Sequence, residues 1–309
     1  MRLGAALAPA LLLLAACGSS SPEPMVDPPV TWVDGVEGVV DFTDPPDRIV
    51  TLSGAITEIV FALGLGDFVV AVDVTAVHPP EATRLPVVGV GRFLNAEAVL
   101  AQQPTLVIGD TQTSPPEAIQ QIRDAGVPVL ITDVPTSFEG LYAKIAAMGE
   151  ELGAAASGRN VAAAVEDDLT RAMADASTLT PPPSVAFVYS RGPDVILLFG
   201  SEMTTQPLIE AAGGIDAGAA SGIVGTVDFT PEALVAAAPD VIVITSEGLD
   251  LLGGVDGLLE IPGFAATPAG RNRRVLDYSE GDILTFGPRT FETLQCLIDE
   301  LRSVPSLCG

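Results

Sequence analysis

The chain has 309 residues, with 40 acidic side chains against 14 basic ones and a formal net charge of −26. That balance excludes a nucleic-acid-binding surface, which needs clustered Lys and Arg. Hydrophobic residues at 48% and charged residues at only 17% exclude a disordered chain, and the length suits two domains.

Residues 1–16 read as an export signal. Arg2 precedes an apolar run through Leu14 that is too short to cross a bilayer. Leu14-Ala15-Ala16-Cys17-Gly18 has the form of a lipobox, in which the cysteine becomes the mature N-terminus and carries acyl chains. Cys17 is the expected lipidation site; an ordinary signal cleaved nearby would leave it free. Residues 17–29, rich in Ser and Pro, are expected to be a flexible tether.

Residues 30–152 are expected to form a first α/β lobe. A hairpin over 30–42 is predicted to turn at Asp34-Gly35. A strand at 49–52 follows, then a helix at 56–63 with Ile56, Ile59, Val60 and Leu63 on one stripe and Gly64 and Gly66 at its end. Strands at 68–72, 106–108 and 127–131 then alternate with helices at 95–102, 115–125 and 138–152, the pattern of a layer with parallel strands. Residues 153–180 hold Val161, Val165, Leu169 and Met173 at four-residue steps. They predict one long helix, stopped by Thr180-Pro181-Pro182-Pro183.

Residues 181–309 repeat the α/β series: strands at 185–189 and 195–199, a helix ending at Ala212, a helix at 231–238, a strand at 241–244 and a final helix at 288–302. Residues 95–109, NAEAVLAQQPTLVIG, echo residues 230–244, TPEALVAAAPDVIVI, with Glu97/Glu232, Ala101/Ala236 and Pro104/Pro239 identical. One such helix-loop-strand unit in each half suggests two similar lobes. Cys296 and Cys308 remain after Cys17, and an exported pair is expected to be a disulfide.

The runs LSGAITEIVFALGLGD, VDVTAVHPPEA and GRFLNAE, all between Arg48 and Asp110, resemble the N-terminal lobe of haem-binding substrate-binding proteins of bacterial ABC importers. Residues 184–300 resemble the same family more loosely. The resemblance implies an α/β fold of two Rossmann-like lobes joined by one long rigid helix, the class III periplasmic-binding-protein fold. The ligand would lie between the lobes, where strand-end loops converge. It further implies a binding protein and no enzyme, with haem as transported ligand and an ABC permease with its ATPase as partners. The chain would be an exported, lipid-anchored monomer at the outer face of the cell membrane or in the periplasm.

The resemblance also assigns residues. His78, the single histidine, stands in Val77-His78-Pro79-Pro80 where the family usually carries a haem-ligating tyrosine. A neutral imidazole donates to iron without adding negative charge, which favours a higher haem potential than a phenolate does. Tyr189 in Tyr189-Ser190-Arg191 matches a second axial ligand from the other lobe, with Arg191 expected to lower its pKa. As a strand residue sharing a face with Val185 and Phe187, Tyr189 could equally be a packed aromatic. Arg92 and, less strongly, Arg289 are expected to bind the haem propionates. Glu58, off the apolar stripe of its helix, is expected to face solvent and dock on the permease, with Glu210 or Glu202 as its counterpart in the second lobe.

Other chemistries are not supported. One histidine and no GxSxG elbow leave no Ser-His nucleophile, there is no Walker A or GxGxxG sequence, and a zinc or manganese importer would need several histidines. A ferric siderophore or a corrinoid would fit the same two-lobe frame. A lipoprotein that handles haem or scaffolds partners without a permease is the reading from a different class.

Overall fold

The computed structural model describes residues 31–33, 39–41, 46–176 and 180–302. The expected signal peptide, the expected lipidation site Cys17, the expected tether and Cys308 lie outside the described residues. Strands are numbered β1 Thr31–Val33, β2 Val39–Asp41, β3 Ile49–Thr51, β4 Val69–Ala71, β5 Leu106–Asp110, β6 Val129–Thr132, β7 Ser184–Ser190, β8 Ile196–Phe199, β9 Ile215–Asp216, β10 Thr226–Asp228, β11 Val241–Thr245 and β12 Val275–Tyr278.

β1 and β2 form the expected antiparallel hairpin. Their register pairs Val33 with Val39, so five residues separate the paired ends. Asp34-Gly35, where the hairpin is expected to turn, lies outside the described residues.

The first lobe is a fully parallel sheet in the order β4-β3-β5-β6. The second has the order β10-β8-β7-β11-β12, with β9 joining the start of β7. β7, β11 and β12 are parallel, β10 runs the same way at the edge, and β8 between β10 and β7 runs antiparallel to both. The short link between β7 and β8 accounts for this, because a parallel return needs a crossover of a dozen or more residues.

Period-two alternation divides each sheet between two cores. Ala186, Val188, Ile242 and Ile244 fill a core on one face of the second sheet, and Val50 and Val107 do so in the first. Their strand neighbours Ile49, Leu106, Ile108, Val185, Phe187, Val241 and Val243 share a single cluster with Val165, Leu169 and Ala172 of the long helix Ala155–Ala176. That helix is therefore a packed spine belonging to both lobes. It lies on helix Phe138–Glu151 with Gly149 against Gly158: a Cβ on Gly149 would fall 2.5 Å from the Gly158 Cα. The final helix, Thr290–Leu301, packs on the spine from the second lobe.

The internal echo is structural. Asn95 and Thr230 each accept an N-cap hydrogen bond, from Ala98 and Ala233. Gln103 and Ala238 both adopt left-handed φ, 52° and 44°, immediately before the matched prolines. Each unit then enters a central strand, β5 or β11.

Candidate ligand-binding cleft

Because β3, β4 and β5 run parallel, the loops leaving them gather at one edge of the first sheet. A buried carboxylate ties these loops together. Asp73 Oδ1 accepts from the Thr75 backbone N–H at 2.7 Å and its hydroxyl at 2.5 Å, and Asp73 Oδ2 accepts from Gly91 N–H at 2.5 Å. The Thr75 hydroxyl oxygen also accepts from Gly54 N–H at 2.9 Å. The start of the first helix, the His78 loop and the Arg92 turn are thereby held as one unit. Burial pushes the Asp73 pKa up, against the hydrogen bonds from Thr75 and Gly91.

His78 is half-buried, and its neighbours come from the second lobe. Its Nε2 lies 3.6 Å from Asp282 Oδ1, and the same oxygen accepts from Arg289 at 2.7 Å. Burial and the Arg289 cation lower the His78 pKa, while Asp282 and Glu292 oppose them. The imidazole is thus kept neutral at neutral pH, with a lone pair available to a Lewis acid. Close seating of the two lobes depends on Gly281, where a Cβ would fall 2.2 Å from Val77 Cγ2.

Tyr189, at the end of β7, packs its ring 6.1 Å from that of Phe199. The Arg191 guanidinium carbon stands 5.3 Å from its ring centre, and Arg191 pairs with Glu280 at 2.8 Å. Arg191 acts on Tyr189 electrostatically, as does Arg92, which is exposed on the first lobe and bonded to Gln112. Both arginines favour the phenolate. Yet burial and the Glu280 carboxylate outweigh them and raise the Tyr189 pKa. Arg191 thus acts in the expected direction and is outweighed: without ligand, Tyr189 is a neutral phenol.

Two residues not singled out from the sequence join these groups. Glu280 and Asp282 both sit on the short helix Glu280–Ile283, one serving Arg191 and the other His78 and Arg289. Its sequence signal is Ser279-x-x-Asp282, a capping pattern in which the Ser279 side chain accepts from Asp282 N–H.

Glu58 does not face solvent as expected. It is 6% exposed, its Oε2 is buried without a hydrogen-bond partner, and it lies against Gly287 and Arg289 of the second lobe. Burial raises its pKa to about 7 although Arg289 pulls the other way. In contrast, Glu202 and Glu210 are exposed on one face, bridged by Gln206, which accepts from Glu202 N–H and donates to Glu210. Cys296 is disulfide-bonded.

Among the described residues, no helix is long and apolar enough to span a membrane, and no cluster of three His, Cys, Asp or Glu side chains could hold a metal ion. Two α/β lobes on a shared spine, with facing polar groups at their strand ends, define a cleft-type solute-binding protein. The chain belongs to the periplasmic binding protein family, whose model matches residues 49–280. It is similar to the periplasmic heme-binding protein RhuT from Roseiflexus sp. RS-1, at 46% identity over 83% of this chain and 98% of that one, with a TM-score of 0.80. The heme-binding protein HmuT is 35% identical over 94% of each chain, with a TM-score of 0.83. An uncharacterized ABC transporter substrate-binding lipoprotein, YvrC of Bacillus subtilis (strain 168), is 29% identical over 308 residues, which is 96% of this chain and 95% of that protein. These likenesses bear out the class III fold and place the chain among extracytoplasmic binding proteins.

Proposed function

We propose that this protein captures haem between its lobes and delivers it to an ABC permease, from a lipid anchor on Cys17 and as a monomer. The observation that carries the reading is the pairing of unlike donors on opposite lobes. His78, held neutral by burial and Arg289, comes from the first lobe, and Tyr189, with Arg191 on its ring, comes from the second. Haem supplies its own iron, so a site without a cluster of metal ligands suits it. A ferric centre is a strong enough Lewis acid to displace the proton of Tyr189, and Arg191 and Arg92 then stabilise the resulting phenolate.

Arg92, exposed at the cleft edge, supplies a cation for a propionate, which matters in a chain of net charge −26. Arg289, engaged with Asp282, Glu292 and Glu58, acts on His78 and leaves propionate binding chiefly to Arg92. Of the three expected docking carboxylates, Glu202 and Glu210 are exposed and open to a permease, and Glu58 is enclosed between the lobes. Cys308 is proposed as the disulfide partner of Cys296.

Titration of the mature protein with hemin should saturate near one equivalent. His78→Ala should shift the Soret band and speed haem loss, and Tyr189→Phe should remove a phenolate-to-iron charge-transfer band. A flat hemin titration with binding of cobalamin or a ferric siderophore would assign the cleft to those ligands. Unchanged spectra in His78→Ala would remove His78 from the iron.

A further inference from the structure

The turn that carries Arg92 also carries the most exposed large apolar residue of the described chain. Phe93 is 82% exposed, while the next residue, Leu94, is 7% exposed and lies in the first lobe's core. The turn is not loose. Phe93 N–H donates to Val90 O at 2.8 Å, Leu94 N–H to Ser114 O at 2.8 Å and Ser114 Oγ to Arg92 O at 2.7 Å, while Asp73 grips Gly91. Val74 N–H donates to Gly89 O at 2.9 Å, which brings Val74, 52% exposed, beside Val90, 39% exposed. An aromatic ring and two valines are thus presented by fixed backbone at the strand-end edge of the cleft. A pre-ordered apolar surface of this kind gains most from an equally stiff apolar partner.

We propose that Phe93, with Val74 and Val90, is a wall of the cleft that lies against the flat face of a tetrapyrrole macrocycle. Arg92, one residue earlier, holds a carboxylate at the edge of the same molecule. This rests on the haem reading and deepens it, because it assigns selectivity for a planar apolar ring system to residues that make no bond to iron. The complementarity is twofold: an aromatic face meets an aromatic face, and a cation in a strongly acidic chain meets an anionic edge. Compact hydrophilic siderophores lack the first match.

Metal-free protoporphyrin IX separates ring contact from iron ligation. The mature protein and its Phe93→Ala, Phe93→Trp and His78→Ala variants are titrated with protoporphyrin IX and with hemin. Phe93→Ala should weaken protoporphyrin binding about tenfold and leave the Soret position of bound hemin unchanged. Phe93→Trp should retain affinity, and His78→Ala should leave protoporphyrin binding intact. The melting temperature of Phe93→Ala should match the parent, since the ring supports no core.

Equal protoporphyrin affinity in Phe93→Ala and the parent, with hemin still bound by the parent, overturns the inference and leaves the haem reading standing. A parent that binds neither porphyrin overturns both. A parent dimer that Phe93→Ala converts to monomer in sedimentation, with porphyrin affinity unchanged, makes the ring a contact between copies and also overturns it.

Discussion

Glu58 and His78 show how one cation, Arg289, serves two groups of opposite need. The folded-state pKa of Glu58, about 7, lies above its ordinary value of 4.5. Between those values the folded protein retains a proton that the unfolded chain has lost. Stability therefore falls as pH rises from 4.5 to 7, and above 7 the whole penalty is present, about 3 kcal/mol. Glu58→Gln should match the parent near pH 5 and be the more stable protein at pH 8. Denaturant unfolding at both pH values checks this, and a stability difference that does not grow with pH would contradict it. Arg289→Ala should raise the His78 pKa, since the cation now lowers it, and NMR can follow the single imidazole without assignment ambiguity. The closeness of Arg191 to Tyr189 was legible, because the two stand two residues apart in Tyr189-Ser190-Arg191. Glu280 was not, because its partner Arg191 is 89 residues away in the chain. The burial of Glu58 was hidden for the same reason. The stripe Ile56, Ile59, Val60 and Leu63 marks the helix face toward its own sheet, and a segment beyond residue 280 covers the other side.

At the scale of elements, the crossing of helix Phe138–Glu151 with the spine depends on two missing side chains. A Cβ on Gly158 would lie 2.8 Å from the Gly149 Cα and 3.2 Å from the Ala146 carbonyl oxygen. These are backbone atoms that cannot swing aside, so a substituent must push the helices apart. Gly158→Ala should cost about 1–3 kcal/mol, and Gly158→Val more, both read as a lowered denaturant midpoint. The same change at Gly126, whose surroundings are open, should show no such clash, although its φ of 82° brings its own strain. The spine and the parallel first sheet were readable because helix and strand periods differ and proline and glycine mark their ends. The reversed direction of β8, the strand β10 and the helices after β11 were harder to read. β10 has only three residues, all exposed, and the helices Ser246–Leu251 and Gly254–Glu260 are too short to display a full periodic stripe.

For the whole molecule, the decisive feature is that one hydrophobic cluster contains strands of both sheets and the spine between them. Lobes with separate cores would open and melt independently, whereas a shared core couples them. Leu169 sits fully buried in the middle of that cluster. Leu169→Ala removes packing from both sides at once and should cost about 2–5 kcal/mol. Native-state hydrogen exchange of the central strands β5 and β11 reads the coupling directly. Their slowest amides should lose protection by the same amount in the variant, because both exchange only through the common unfolding of the cluster. Loss of protection in one strand alone would mean that the lobes unfold separately. The same coupling limits motion on binding: hinge opening would have to break the seam of Val77 against Gly281 and Phe138 against Phe286, whose ring centres are 5.5 Å apart, while the spine resists bending. The radius of gyration measured by small-angle scattering should therefore change by less than about 1 Å between ligand-free and hemin-loaded protein. A larger contraction would show that the lobes swing about the spine and that the shared core yields where it is expected to hold.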